Sequence, residues 1–501
     1  MIRSRPTCSN LLRSFLLLTS AAIVNCNDQG PSRSTPTRLA FVAPPTDGEP
    51  NLAMTPAIRV AIQDEFGNVV PTANHQVTVG WGTNPTGATL SGTLIVEPKD
   101  GVATFDSVVI DEIGDGYTLH ATATGLATAT SAPFDIFLHF VSISAGGSVD
   151  ADVIGQATHT CGLTAAGAAY CWGNGTSGQL GNGANASRNM PVLVSGGHKF
   201  VSIAAGLSHT CGVTTDRAAL CWGDNTTRQL GNESTNPSNV PVLVSGANSF
   251  TSITAGSDQT CALRSDSAAM CWGDDNVGQL GNDPPFAFSA KPVLVAGNYM
   301  FASLDAGRAL TCGIRTDGSA FCWGWDGYGQ LGDAAGYVSS GVPVLVSGGY
   351  TFISVSGGGY HTCGVTATDG QALCWGHNFN GPVGTGSFGG DPPAPVFVAG
   401  GLTFVSVSVG ARHSCGITTT GAAACWGMNN YSQLGIGTSG DQAAPVLVTG
   451  GLKFGTVSAG ESHTCALSAT GAYCWGRNDL GQLGNGTNAT YAIPTLVAGS
   501  R

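Results

Sequence analysis

Short apolar runs of four to six residues, separated by Gly, Asn, Asp and Pro, recur along most of the chain. Between residues 38 and 137 several of them alternate with polar residues. In "AIRVAIQDEFGNVV" and "GYTLHATATG" the apolar residues recur at every second position, the pattern of a strand with one buried face. "LAFVAPP", "HQVTVGW", "GATLSGTLIVEPKDGVATFDSVVI" and "APFDIF" supply further segments with turn residues between them. About seven short strands in this arrangement predict a β-sandwich. From residue 138 the pattern changes and repeats. One copy reads "FVSIAAGLSHTCGVTTDRAALCWGDNTTRQLGN", followed by "VPVLVSG". Each copy offers a Phe-Val-Ser-Ile segment, two segments around a Gly-containing turn, and a Pro-Val-Leu-Val segment. Four strands in a unit of 40–50 residues are the content of a propeller blade.

The cysteines set the period. Fourteen of the sixteen form seven pairs. Cys161 goes with Cys171, Cys211 with Cys221, Cys261 with Cys271, and Cys312 with Cys322. Cys363 goes with Cys374, Cys415 with Cys425, and Cys465 with Cys474. The first members are 50, 50, 51, 51, 52 and 50 residues apart. Zinc sites use closer pairs, typically Cys-x₂₋₄-Cys, so a metal is not expected. In "HTCGLTAAGAAYCWG" both cysteines are equidistant from Ala166. An antiparallel hairpin then sets them opposite each other, at a separation that suits a disulfide. The longer fifth pair and the shorter seventh pair change only in the turn. Buried free thiols are the alternative.

Outside the cysteines, the shared features are Gly-x-x-His before the hairpin, Trp-Gly after it, and a following Gly-Gln-Leu-Gly. These resemble the regulator of chromosome condensation repeats over residues 138–501. The resemblance implies a seven-bladed β-propeller, and the fold class is all-β. A good "PTLV" ends the chain, while the version before Phe140, "PFDIF", is poor. The last strand is therefore expected to complete the blade begun at Phe140, leaving no free edge. Residues 38–137 resemble bacterial immunoglobulin-like domains, through Gln63-Asp64 with Gly67-Asn68 and through "GVATF". Such domains usually act as stalks or adhesive modules, and a spacer is expected.

The N-terminus suggests export. Arg3, Arg5 and Arg13 flank an apolar "FLLLTSAAIVN" that ends at Cys26, short for a spanning helix and apt for a signal peptide over 1–25. It resembles a lipoprotein signal with Cys26 as the lipidated residue, although Asn25 departs from the motif. Cleavage near Ala21–Ala22 is the alternative. Residues 26–37, rich in Pro and Ser, read as a tether. Export permits disulfides. Net charge is −12 and no basic run occurs, which argues against nucleic acid.

His159, His209, His361, His413 and His463 recur two residues before a hairpin cysteine, with Gln259 and Leu310 in the other repeats. Leu310 cannot ligate a metal, and ties between turns within each blade are expected instead. The seven Cys-Trp-Gly tryptophans are expected to pack between blades. No cofactor motif and no catalytic set stands out, so the chain is expected to be a non-enzyme.

Binding should lie where the repeat breaks. Candidates are Asp150 and Asp152 in the first-repeat insertion, Phe286 and Phe288 in the third, Trp325 and Tyr328 in the fourth, and Phe379 in the fifth. That fifth copy, "LCWGHNFNGPVGTG", also loses Gly-Gln-Leu-Gly. The expectation is an envelope-anchored or secreted monomer that binds an extracellular protein or glycan, its membrane contact limited to the lipid. Inhibition of an extracellular enzyme is the alternative. The guanine-nucleotide exchange of the family's founding member fits poorly with export.

Overall fold

A computed structural model describes residues 34–147, 158–246, 249–283 and 288–501. The expected signal peptide, Cys26, Asp150, Asp152 and Phe286 lie outside the described residues.

Residues 38–136 form an all-β unit. Arg38–Ala43, Ile58–Gln63 and Val102–Phe105 make one sheet. Phe134–Ile136, Gly114–Thr122, Val77–Thr83 and Ile95–Val96 make a second, with Ala129–Thr130 added beside Gly114–Thr122. Period-2 alternation places Tyr117, Leu119 and Ala121 inward on the longest strand. They share one core with Ile58, Val60, Val77, Val79 and Phe105 from both sheets.

Residues 140–496 form seven four-stranded sheets, each built from four consecutive strands. The first comprises Phe140–Ala145, His159–Thr164, Ala169–Gly173 and Arg188–Leu193, in that spatial order. Neighbouring sheets pack side by side, and the first packs against the seventh. The two middle strands of the first sheet are buried throughout, while its outer strand is only partly covered. Both faces of the hairpin are thus covered by neighbouring sheets, which is why these strands read as runs of small and apolar residues.

The expected cysteine partners face each other directly across their hairpins. Cys161 is bonded to Cys171, Cys211 to Cys221, Cys261 to Cys271, and Cys312 to Cys322. Cys363 is bonded to Cys374, Cys415 to Cys425, and Cys465 to Cys474. Their Cα separations are 4.0–4.1 Å. The alternative of buried free thiols therefore falls for all fourteen. The antiparallel register sets each pair opposite, and turn length absorbs the one-residue changes in the fifth and seventh copies.

The chain-end latch is not present. Tyr491–Leu496 pairs with Gly471–Gly476 of its own sheet, and Phe134–Ile136 belongs to the N-terminal unit. The Pro-Val-Leu-Val segment follows its hairpin and forms the fourth strand of the same sheet, so no strand is left over to share. The ends meet differently. Leu138 N donates to Gly499 O at 2.6 Å, and the Arg501 guanidinium reaches Asp115 and Asp135 of the N-terminal unit.

Closure rests on side-by-side contacts. The Trp indole Nε1 of each sheet donates to the main-chain carbonyl at the second residue of the preceding sheet's Gly-Gln-Leu-Gly turn or its equivalent. Trp222 donates to Gln179 O at 2.9 Å, and Trp172 closes the ring on Gln482 O at 3.0 Å. The same carbonyls accept a hydroxyl, as when Thr210 donates to Gln179 O at 2.8 Å. All seven indoles are fully buried, so the tryptophans do pack between sheets. The fifth repeat keeps this seat. In Gly381-Pro382-Val383-Gly384 the Pro382 carbonyl receives Trp426 Nε1 at 2.8 Å and Ser414 Oγ at 2.9 Å. The lost Gln-Leu pair is therefore no break in the scaffold, because the seat uses a main-chain oxygen.

A second ring lines the central channel. Ser144 Oγ accepts Ala205 N at 3.0 Å, Ser356 Oγ accepts Val409 N at 3.0 Å, and Ser458 Oγ accepts Ala145 N at 2.9 Å. Asp305 takes the same role toward Gly357 N at 2.8 Å. On the rim, the outer strands are exposed edges that invite pairing. Six contain a proline and the fifth follows Pro395, which removes a donor and blunts association.

The seat also explains the last glycine of its turn. Gly231 has φ +64°, and a Cβ there would lie 2.6 Å from the Trp272 ring. Gly349 has a similar φ of +68° with open space around it. Gly231→Ala should therefore cost about 2–4 kcal/mol, combining backbone strain with overpacking. Gly349→Ala should cost about 1–2 kcal/mol, from backbone strain alone. Denaturant unfolding of the two variants measures the difference, and equal losses would remove the steric role of the indole.

Candidate recognition face

One end of the propeller carries two loops from each sheet, one before the histidine position and one after Trp-Gly. The Trp-Gly glycine has φ between +97° and +108° in all seven copies, where a side chain is strained. In the second sheet a Cβ at this glycine would also strike the Ser208 carbonyl at 2.5 Å. The next residue then bonds back to the other loop, as Asp224 N does to Ser208 O at 2.8 Å and Arg477 N to Ser462 O at 2.9 Å. In six copies an Asn or Asp follows and caps the turn. Asn225 Oδ1 accepts Leu230 N at 3.0 Å, and Asn429 Oδ1 accepts Leu434 N at 3.1 Å. These bonds hold the loops on rigid strands.

On that fixed frame, the position after Trp-Gly varies freely. It holds Asn174, Asp224, Asp274, Trp325, His377, Met428 and Arg477 in successive repeats. The buried residues around it hardly change. The contrast between a constant interior and these varied, half-buried to buried positions marks this end as the place where the repeats differ in chemistry.

In the fourth to sixth sheets the varied positions build one cluster. Trp325 and Tyr328 meet edge to face at 5.5 Å, Tyr328 meets His377 at 4.5 Å, and both Trp325 and Tyr328 lie 5.8 Å from Tyr360. Phe379, 70% exposed, continues the row from His377 at 6.4 Å. The Arg308 and Arg412 guanidiniums lie over the Tyr360 ring at 5.0 and 5.3 Å, and Arg308 donates to the Tyr360 hydroxyl at 2.6 Å. Cation–π contact fixes both planes. Burial holds His377 below the usual imidazole range, opposed by Asp391. On the acidic side, burial pushes Asp258 up to about 6, with Asp274 and Asp224 adding to the rise and Arg308 opposing it.

Of the binding candidates, Trp325, Tyr328 and Phe379 converge here. Phe288 does not. It meets Arg228 at 5.7 Å and shares none of the cluster's ring contacts. Sequence reasoning missed Tyr360, Arg308, Arg412 and His377. The available signal was position within the repeat, since Tyr360 and Arg412 immediately precede the histidine position, Arg308 stands two residues before it, and His377 follows Trp-Gly.

The histidines lie beneath this face and are fully buried. They do not tie turns within one blade, as expected, but join neighbours. His209 Nε2 bonds Thr260 Oγ1 at 2.9 Å, and His463 Nε2 bonds Thr160 Oγ1 at 2.9 Å across the closure. The hydroxyl proton of Thr260 goes to Gln229 O at 2.9 Å. The imidazole must therefore donate from Nε2. Gln259 reaches two carbonyls of the next sheet, Gly307 O and Leu310 O, instead. Among the described residues, no group of three or more His, Cys, Asp or Glu is placed to hold a metal.

Comparison with known proteins agrees with this architecture. The regulator of chromosome condensation (RCC1) repeat matches residues 166–213, 218–263, 317–365, 421–467 and 471–501. A second description of the same repeat matches six stretches between 200 and 482, and the two together cover more than half of the chain. The chain is an RCC1-repeat protein. Among its relatives, the ultraviolet-B receptor UVR8 of Arabidopsis thaliana is 32% identical over 151 residues, 29% of this chain and 34% of that one. The mitochondrial RCC1 domain-containing protein RUG3 of the same plant is 33% identical over 136 residues, 25% of this chain and 30% of that one. The chain thus spans about a third of these curated relatives' length. Among solved structures, Prp20p of Saccharomyces cerevisiae has a TM-score of 0.60 at 22% identity, covering 66% of this chain and 86% of that one. Human WBSCR16 has a TM-score of 0.59 at 18% identity, covering 79% of this chain and 99% of that one. At these identities the likeness establishes the RCC1-type fold.

The buried histidines of the RCC1 repeats make a pH prediction. Burial lowers the pKa of His209 to about 3, from 6.5. Above pH 6.5 both folded and unfolded chains keep it neutral. Below that, the unfolded chain takes up a proton that the folded chain refuses, so stability falls by up to about 1.4 kcal/mol per pH unit. His209→Gln copies the third repeat and removes this dependence. Between pH 6 and 4 the variant should gain on the wild type by that slope in matched unfolding curves, and parallel curves would contradict it. Subtraction cancels the carboxylates, which titrate equally in both proteins.

Proposed function

We propose that this RCC1-repeat chain is an exported, non-enzymatic binding protein whose aromatic and arginine-lined face recognises a protein outside the cytoplasm. In this reading residues 1–25 are a signal peptide and Cys26 carries a lipid. Residues 26–37 are a tether, and residues 38–137 form an immunoglobulin-like spacer. The seven-bladed propeller over 138–501 presents the face.

The observation that supports recognition is the concentration of varied positions on one end of an otherwise constant ring. Aromatic and Arg side chains held in a rigid cluster are the composition of interface hot spots. A prepositioned cluster also lowers the ordering cost of association. Prp20p was characterised for its binding to Gsp1p and histones, so protein recognition has a precedent on this fold. Inhibition of an extracellular enzyme is a second form of the same act. Phe379, the most exposed ring of the cluster at 70%, is the side chain a catalytic cleft would take.

The test is crosslinking capture from the native envelope, comparing wild type with Trp325→Ala, Tyr328→Ala and Phe379→Ala. Losses of tenfold or more are expected for a partner that wild type and Leu345→Ala, on the outer rim, both retain. Equal capture by all variants would reject the face. Labelling with a palmitate analogue should mark the wild type and not Cys26→Ser.

A further inference from the structure

Each disulfide is covered by the sheet that follows it. All fourteen hairpin cysteines are 0–1% exposed. Cys161 and Cys171 share a core cluster with Phe200 and Trp222 of the second sheet, and Cys211 and Cys221 share one with Phe250 and Trp272 of the third. The next four pairs lie in the same way against the Phe and Trp of the sheet after their own. A hydroxyl adds to the cover: Thr210 Oγ1 is 3.9 Å from Cys161 Sγ, and Ser414 Oγ is 3.6 Å from Cys363 Sγ. For these six pairs the covering Trp stands about fifty residues further along the chain. The seventh pair is covered from the other end. Cys465 and Cys474 share their cluster with Phe140, Tyr170 and Trp172 of the first sheet, about three hundred residues earlier.

Making or breaking a disulfide needs a thiolate to reach a sulfur atom through a mixed disulfide. Two cysteine thiols and one oxidant disulfide give one protein disulfide and two oxidant thiols. The first cysteine thiolate attacks the oxidant and expels one of its sulfurs as thiolate. The second attacks the protein sulfur of the mixed disulfide and expels the other. Two electrons pass to the oxidant, and the two protons end on its sulfurs. The mixed disulfide sets the oxidant's sulfur and its substituent beside the cysteine. In the closed ring the Phe and Trp of the next sheet are packed there, and a close-packed interior has no room for both.

We propose that each cysteine pair is oxidised on its open hairpin, before the following sheet docks, and that docking then seals the bond. The reaction class that must act before assembly is dithiol oxidation by a small-molecule or protein disulfide. A chain that folds as it is made, N-terminus first, leaves each of the first six pairs open until the next sheet has emerged. The seventh pair has no such interval, because its cover is made first and ring closure alone shuts it. Once sealed, the seven bonds are structural and do not exchange with outside thiols. The inference uses neither the recognition face nor export, so its failure would leave both untouched.

Thiol counting by alkylation and peptide mass mapping on the full chain tests it. In native buffer, dithiothreitol should reduce all seven bonds at least a hundredfold more slowly than in guanidinium chloride, because reduction waits for opening. Comparable rates would overturn the inference. The reduced chain is also diluted from denaturant without oxidant and then given glutathione disulfide. Two results support the proposal: a ring whose fourteen thiols stay reduced, or no ring until oxidation has occurred. A reduced chain that reaches native tryptophan fluorescence and then oxidises in native buffer rejects it. The direction of cover is tested by two variants, each rate being taken relative to Cys312–Cys322 in the same molecule. Trp222→Ala should speed reduction of Cys161–Cys171 at least tenfold. Trp172→Ala should do so for Cys465–Cys474, although Trp172 adjoins Cys171 in sequence. Preferential opening of Cys161–Cys171 by Trp172→Ala, or of neither pair, would refute the assignment. Trp172→Phe and Trp222→Phe serve if the alanine variants do not fold, with the same ranking of pairs expected.

Discussion

One carbonyl oxygen at each sheet-to-sheet junction organises this molecule. It belongs to the second residue of the exit turn, Gln in six copies and Pro382 in the fifth, and it accepts both an indole N–H and a hydroxyl from the next sheet. At the closure, Gln482 O takes Trp172 Nε1 at 3.0 Å and Thr160 Oγ1 at 2.8 Å. A carbonyl has two lone pairs, and both are used in a site from which water is excluded. The Thr hydroxyl has only one proton, so giving it to the carbonyl forces the imidazole to donate. The indole lies against the last residue of the turn, so that residue must be glycine. Four features of the repeat, His, Thr, Trp and Gly, therefore answer to one acceptor. Because that acceptor is main chain, Pro382 and Val383 can replace Gln and Leu without loss.

This arrangement separates stability from recognition. The disulfides steady single hairpins, and the carbonyl seats and channel hydroxyls join one hairpin to the next. Neither uses the residue that follows Trp-Gly. That residue is released to be acid, aromatic, imidazole or arginine in successive copies. The frame beneath it fixes its main chain through left-handed glycine and Asn or Asp caps. A row of rings and guanidiniums can then be held in place with little further ordering on binding, the condition that favours affinity.

The junction with the N-terminal unit is built differently. It combines polar contacts, Leu138 N to Gly499 O and Arg501 to Asp115 and Asp135, with an apolar one, Ile113 packing against the core that holds Leu138. Tyr170, on a middle strand of the first sheet, is pushed up to about 12, mainly by burial. The neighbouring Asn51 and Glu49 belong to the N-terminal unit, so the first sheet packs against that unit as well as against its ring neighbours.

The period of the repeat, the cysteine partners and the inward tryptophans could be read from the sequence alone. Disulfide pairing in a hairpin depends on local spacing, and a large apolar side chain repeated at one position needs a repeated place to be buried. The closure, the reach of the histidines and the recognition cluster could not be read. They depend on which sheet stands beside which, and residues 303 positions apart, Thr160 and His463, become hydrogen-bond partners only when the ring closes. Trp325 and Phe379 could be suspected singly as aromatic breaks in the repeat. Tyr360, Arg308 and Arg412 gained their meaning only from the tertiary structure, because neighbouring sheets bring loops about fifty residues apart into one surface.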